Sequence, residues 1–446
     1  MAAPATLSPS VATALTSPKS VMAALAIILL DLASRSGLDK MLARNGSPAL
    51  VALWAQLQTV VELVSAVALA GVLQGLTVMV AQTRHVQDER ALLRDALKLG
   101  VATALAVALV IAVAAPTLAR PYTQGVIAAE LFWLAALAGC MTVLPATLNA
   151  YWLGKHQQPR MLLLALLTGG VLWLIAAGAA LGMSLRGLMG LQCMALAVCG
   201  LVVWCVLRTL MRPANQHAET PRATGHPAQL ARLMRFVPVG LTIGIMGPVS
   251  MLLMRGILSR SLSWDDAGYF QALWRCSEWV TATAAGVLSL IFLPRFSNAH
   301  GNTRGAAHFR RELWRAGVLV LGSAAVLLSL IYFNQAALLS LLYDARFTVS
   351  NTTAALFLLG CWIRAAAWLF LFGLFAAHRT RWLITGEFLS LPLYALLLWY
   401  YEDGMTLERA ALLFLLSYAV YLGFNVAGLC WPRQAVKNDA NNTVRN

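Results

Sequence analysis

Twelve apolar stretches, each long enough to cross the roughly 30 Å hydrocarbon layer of a bilayer, divide this chain of 446 residues. They lie near 20–43, 50–82, 94–116, 127–153, 161–182, 187–209, 235–259, 266–293, 316–342, 351–377, 382–401 and 410–431. A segment in lipid must satisfy its own backbone hydrogen bonds, and stretches of this length do so as helices. The expected fold is therefore all-α, with about 12 transmembrane helices. Several stretches exceed one span, which predicts tilt or extension beyond the bilayer. Composition closes off the alternative. Apolar residues make up 60% and charged residues 11%, with mean hydropathy +0.72, whereas a soluble domain carries roughly a quarter charged residues.

A formal charge of +15 raises the question of nucleic acid, and the placement of the basic residues answers it. With both termini on one side, alternate loops collect 22 Lys and Arg there and seven on the other side. This is the positive-inside pattern; it predicts cytoplasmic termini and gives no reason to expect nucleic-acid binding. The seven cysteines all fall in apolar runs and read as small buried hydrophobes. All seven histidines fall in expected cytoplasmic loops, which leaves neither an intramembrane histidine relay nor a histidine metal site. No cofactor is expected; any coupling to a proton or sodium gradient falls to carboxylates.

Residues 1–19, rich in Ala, Ser, Thr and Pro, read as a disordered cytoplasmic tail. The polar, proline-containing stretch 210–234 reads as a cytoplasmic linker between six-helix lobes at 20–209 and 235–431, with a second tail at 432–446. The lobes look like repeats. A shift of 220 residues lays Arg35 on Arg255, Lys40 on Arg260, and Ala52-Leu53-Trp54 on Ala272-Leu273-Trp274. Both halves start on the same side, so the repeat is parallel, with its axis along the membrane normal. Basic amphipathic stretches at 84–98 and 304–315 are expected on the membrane surface. Trp54, Trp264, Trp382, Trp399, Tyr400 and Tyr401 are expected as interfacial anchors.

Four arginines remain inside spans: Arg35, Arg255, Arg275 and Arg364. Acids at similar depth are Asp31, Glu62, Glu130, Glu278 and Glu387, and Asp31, Arg35 and Asp39 form one helical stripe. Charge inside a membrane is costly and faces a partner or a water-filled cavity. Two readings follow. Either these are structural ion pairs, or they form a cationic site whose acids hold the arginines until an anionic ligand replaces them. Guanidinium groups pair bidentately with phosphate, which makes Arg35, Arg255 and Arg275, with Lys40 and Arg364 beside them, candidates for holding such an anion. Asp31, Glu62 and Glu278 are candidates for counter-charge or ion coupling. Gly247 and Pro248 mark a bend or hinge in the seventh span, and Asp265 and Asp266 read as N-terminal caps of the eighth.

The stretch Phe236 to Leu313 resembles the start of the second half of the Wzx-type oligosaccharide-lipid flippases of the MATE-like polysaccharide transporter group. The resemblance is carried by Leu253-Met254-Arg255, Ser263-Trp264-Asp265-Asp266-Ala267-Gly268, Gln271 and Leu293-Pro294-Arg295-Phe296. In the first half, Gly46-Ser47-Pro48-Ala49 and Gly71-Val72-Leu73-Gln74-Gly75 to Val80-Ala81-Gln82 are similar to the same family. The closest subgroup by this resemblance is the O-antigen and enterobacterial common antigen (lipid III) translocases. It implies a two-lobed fold that moves an undecaprenyl-diphosphate-linked glycan from the inner to the outer leaflet of the bacterial inner membrane, with Arg35, Arg255 and Arg275, supported by Lys40 and Arg364, holding the diphosphate. Membrane lipids, a polysaccharide polymerase and a chain-length regulator are its implied partners. Asp31 and Asp39 beside Arg35 depart from the family pattern.

Two other readings compete. An exporter of small cationic compounds would line its cavity mainly with acids. A membrane enzyme of glycan polymerisation or ligation would need a substantial extracytoplasmic loop, yet the expected loops on that side reach only about ten residues.

Overall fold

The computed structural model describes residues 18–83, 86–123, 126–155, 157–211, 237–293, 295–297, 305–377 and 379–431, and every element in them is helical. The expected linker and both tails lie almost entirely outside the described residues. The helices are α1 (Pro18–Asn45), α2 (Pro48–Ala68), α3 (Val72–Gln82), α4 (Val86–Thr123), α5 (Ala129–Met141), α6 (Val143–Gly154), α7 (Gln158–Ala180) and α8 (Leu185–Met211) in the first half. The second half holds α9 (Val237–Ser261), α10 (Trp264–Val287), α11 (Gly305–Phe333), α12 (Gln335–Leu342), α13 (Asn351–Ala376), α14 (Thr380–Glu387), α15 (Leu391–Tyr400) and α16 (Leu407–Cys430).

Four expected spans are each built from two helices: α2–α3, α5–α6, α11–α12 and α14–α15. Joined in this way the elements give twelve spans, six in each lobe. Among the described residues, nine helices are long and apolar enough to cross a membrane. The first, seventh and eighth spans are not among them, and these are helices that carry intramembrane arginines.

Local chemistry sets the helix starts. Ser47 caps α2, accepting from the Leu50 N–H at 3.2 Å, with Pro48 in the first helical position. Ser263, Ser350 and Thr406 cap α10, α13 and α16 in the same way. The second span breaks at Gly71, whose φ of 70° is left-handed. A π-turn at Leu288–Phe292 interrupts the eighth span at the position a 220-residue shift predicts. The expected surface stretches 84–98 and 304–315 are not separate elements. Their described residues, 86–98 and 305–315, are the first turns of α4 and α11, because nothing there breaks the helix; α4 runs 38 residues, roughly 57 Å at 1.5 Å per residue.

The lobes meet where α2 crosses α9 and α10. Gly268 lies so close to the Pro48 carbonyl, and Gly240 so close to the Gly71 backbone, that a Cβ on either would overlap them. Pro48 and Gly268 are pseudo-repeat mates, so the pseudo-axis passes through their contact. This seam corrects the aromatic expectation. Trp54 and Trp264 are buried in the core, whereas Trp399, Tyr400 and Tyr401 are exposed on the bundle surface. Pro248 sits inside a continuous α9, where its ring removes one N–H donor without ending the helix. On the same side, Arg346 donates to the Ala43 and Gly46 carbonyls at 2.7 and 3.2 Å, closing the C-terminus of α1.

Candidate functional site

A cavity of about 690 Å³ opens between the lobes. One wall is a polar stripe on α2, formed by Gln58, Thr59, Glu62 and Ser65. Their spacing of three and four residues keeps them on one helical face. Opposite stand Asp31, Arg35 and Asp39 of α1, and α9 and α10 add Arg255, Gln271, Arg275 and Glu278. Thr142, Asn149 of α6, Thr168 of α7 and Gln192 of α8 complete the polar lining. Most of the wall belongs to the first lobe.

Three arginines and four carboxylates share this cavity, and they pair unequally. Arg35 reaches Asp31 at 3.0 Å and Glu62 at 3.3 Å. Arg275 reaches Asp39 at 3.0 Å and Glu278 at 2.6 Å. The Asp39–Arg275 pair joins the two lobes. Arg255 is 4% exposed, and among the described residues no ion pair includes it. Its Nε donates to Gln271 Oε1 at 3.0 Å, and its Nη1 to Thr59 Oγ1 at 2.6 Å and the Ala55 carbonyl at 3.2 Å. Nη2 makes no hydrogen bond to a described residue. No carboxylate touches this buried cation, so an anion entering the cavity can contact it directly without breaking an ion pair.

The pseudo-repeat explains the imbalance. Asp31, Asp39 and Glu62 correspond to Met251, Ser259 and Ala282 in the second half. Arg35 therefore keeps two acids that its mate Arg255 lacks. Met251 and Ala282 themselves line the cavity. Across it, Gln58 and Gln192 exchange amide hydrogen bonds at 2.8 and 3.0 Å. Such neutral, two-way groups suit hydroxyl-bearing ligands.

Of the residues singled out in the sequence, Arg35, Arg255, Arg275, Asp31, Glu62 and Glu278 converge on this cavity. Lys40 and Arg364 do not line it. Lys40 directly follows Asp39 on α1, a step of about 100° round the helix, and its Nζ donates to the Leu341 carbonyl at 2.8 Å. Arg364 is buried inside the second lobe, 5.0 to 6.0 Å from the ring centres of Trp274, Trp368, Tyr418 and Phe414. Its Nη2 donates to Thr281 at 2.6 Å. Gly247 lies in open space, with no atom within 4 Å of where a Cβ would stand. Glu130 pairs with Arg186 at 3.2 Å, and Glu387 accepts from Tyr421 at 3.2 Å; neither lines the cavity.

Asp265 and Asp266 divide their roles. Asp266 sits in the first turn of α10 and contacts the capping Ser263 at 2.6 Å. Asp265 instead accepts from the Ala49 N–H of α2 at 2.9 Å. Sequence reasoning left Asp39, Gln58, Thr59, Gln192 and Gln271 out of the site. The polar stripe on α2 was a legible signal; the partner of Asp39 on another lobe was not.

Solved structures with this fold are membrane transporters. The chain superposes on an inward-facing multidrug resistance MATE family transporter of the MOP superfamily with TM-score 0.68, at 11% identity, covering 91% of this chain and 93% of that one. It also superposes on the inward closed lipid II flippase MurJ (TM-score 0.66, 12% identity, 91% and 87% covered). A MOP superfamily transporter from Pyrococcus furiosus, described as having a binding pocket of reverse polarity, gives 0.63 at 13% identity, with 94% and 96% covered. At such identities the likeness establishes the shared two-lobed fold alone. No curated protein matches the chain by sequence. The polysaccharide biosynthesis protein family model matches residues 41–330, well over half of the chain and nearly all of the second span to the ninth, and the chain belongs to that family.

Proposed function

We propose that this protein is a Wzx-type flippase that carries an undecaprenyl-diphosphate-linked oligosaccharide from the cytoplasmic to the periplasmic leaflet of the bacterial inner membrane. Both termini are cytoplasmic in this reading, and movement is by alternating access of the lobes. The product feeds surface polysaccharide of the O-antigen or enterobacterial common antigen type, through a polymerase and chain-length regulator. The observation that carries the reading is Arg255, a buried cavity cation held only by neutral partners. A diphosphate supplies the anionic contact that it lacks. Arg35 and Arg275 can each turn one donor to phosphate while keeping a carboxylate. The amides and hydroxyls of Gln58, Gln192, Asn149 and Thr168 face the sugars. Family membership supports the substrate class, and the fold supports transport.

The test is complementation of a flippase-deficient strain, read by immunoblots for surface glycan and for protein abundance. A charge-assisted hydrogen bond to a buried anion is worth ~1.5–3 kcal/mol, so Arg255→Ala should weaken substrate binding roughly ten- to a hundredfold. Arg255→Lys keeps charge without the bidentate fork and falls between. Wild-type glycan from a normally expressed Arg35→Ala/Arg255→Ala variant would overturn the site.

A second reading, export of small cationic compounds, is favoured by the four carboxylates that outnumber three arginines in the lining. It predicts that Glu62→Gln abolishes protection against cationic drugs while Arg255→Ala spares it.

A further inference from the structure

A second recess, of about 360 Å³, lies away from the central cavity, where the eighth span ends and α11 begins. Four charged or titratable side chains line it: Arg295, His308, Glu312 and Arg315. Glu312 is 5% exposed and accepts from Arg315 Nη1 at 2.6 Å, which fixes that guanidinium against α11 and leaves its other donors outward. Arg295 lies 5.6 Å from the centre of the Phe292 ring, and among the described residues no ion pair includes it. Two held guanidinium groups and an imidazole thus converge on one recess, against a single carboxylate already engaged. That is a receptor for an anionic phosphate group.

The surface running away from the recess selects which phosphate. His308, Glu312 and Arg315 follow at intervals of four and three on one face of α11, and the same face continues as Leu319, Val326 and Leu330. Those three apolar side chains are all exposed. Trp314, beside Arg315, is 70% exposed, the pattern of a residue at the boundary between head groups and hydrocarbon. Charge at one end and bare aliphatic surface along the rest match a lipid in outline, with its phosphate in the recess and an acyl chain along α11. A free phosphate would use only the charged end.

We infer that Arg295, His308 and Arg315 form a binding site for the head group of an anionic phospholipid, with an acyl chain lying along the exposed face of α11. Glu312 positions Arg315 and does not contact the phosphate. The site is separate from the central cavity and stands whether that cavity carries a glycan lipid or a cation.

Native mass spectrometry of the full chain, released from detergent with added phosphatidylglycerol, phosphatidylcholine or inorganic phosphate, tests this. The variant Arg295→Gln/Glu312→Gln/Arg315→Gln removes both partners of the buried pair together, so that no unpaired charge is left inside. The wild type should hold one phosphatidylglycerol at least about tenfold more tightly than this variant does, with phosphatidylcholine binding equal in the two. Arg295→Gln alone, which breaks no ion pair, should lose several-fold and serves if the triple variant does not fold. Arg310→Gln/Arg311→Gln, which alters two exposed neighbours outside the recess, should retain the lipid. Equal phosphatidylglycerol retention by wild type and Arg295→Gln would overturn the site. So would an equal loss in the Arg310/Arg311 variant, since general surface attraction then suffices. Inorganic phosphate displacing the lipid at equal concentration would overturn the role given to the acyl chain.

Discussion

The Asp265 carboxylate accepts the backbone N–H of Ala49 at 2.9 Å, so a residue at the start of one lobe's second helix caps the corresponding helix of the other lobe. Each belongs to one of the two segments through which the sequence resembles the flippases. Those segments meet each other at the pseudo-axis, where Gly268 lies against Pro48. Their composition is therefore explained by the seam between lobes: small residues permit close approach, serines cap each helix, and a carboxylate crosses between them.

Asp265→Ala should cost about 0.5–2 kcal/mol, the worth of a helix cap, read as a lower unfolding temperature in detergent. Asp265→Asn keeps an acceptor oxygen and should lose less, mainly the charge at the α2 N-terminus. Equal stability of Asp265→Ala and wild type would show that the contact is incidental.

Gly268→Ala should prevent normal folding, because the added carbon overlaps the Pro48 carbonyl, and backbone cannot move aside as a flexible side chain can. Gly247→Ala makes a clean contrast. Nothing stands within 4 Å of the new methyl, so stability should hold or rise slightly. Loss of glycan transport at unchanged abundance would then identify Gly247 as part of a hinge, and unchanged transport would remove it from that role.

The cavity carboxylates should differ sharply. Asp39 has a side chain 5% exposed and spans the lobes to Arg275; Asp39→Asn leaves a buried guanidinium one partner short and should destabilise by roughly 3 kcal/mol. Adding Arg275→Gln should restore part of that loss. Asp31 has a side chain 52% exposed, so Asp31→Asn should cost well under about 1 kcal/mol. If Asp31 couples an ion, its Asn variant keeps normal abundance and loses the pH or sodium dependence of flipping. Thermal unfolding of the three variants, beside flux measured across an ion gradient, separates these outcomes.

Arg35 and Arg255 should be non-additive in substrate affinity if both touch one diphosphate. Each single alanine variant should cost tenfold or more in binding, and the double variant less than the product. Strict additivity in a binding assay with a short-chain lipid diphosphate would place the two arginines on separate ligands.

Orientation is checked by labelling introduced cysteines in a background without the native seven. Sites at Ala223 and Asn442 should be shielded from an impermeant thiol reagent in intact cells, and sites at Ser261 and Thr406 should react. Labelling at 223 would invert the topology.

The number of the spans was legible because a bilayer imposes length and apolarity on each segment separately; the starts of α4 and α11 were not, since a helix can run on past the bilayer into polar sequence. The parallel repeat was legible for a related reason: Arg35 and Arg255, and Ala52-Leu53-Trp54 and Ala272-Leu273-Trp274, recur at one offset of 220 residues and at the same place in the order of spans. Intramembrane charge also announced itself, since each such residue is costly unless a partner or water meets it. Pairing was not legible. Asp39 and Arg275 are 236 residues apart, and nothing local to α1 distinguishes Asp39, which crosses to the other lobe, from Asp31, which binds Arg35 four residues on. Lys40 and Arg364 satisfy the same sequence rule as Arg255, yet one ends on the Leu341 carbonyl and the other among aromatic rings. Depth in the membrane follows from position along a single helix, which the sequence determines. The direction a side chain faces, and the counter-charge it meets there, depend on how helices cross, and only the tertiary packing decided that.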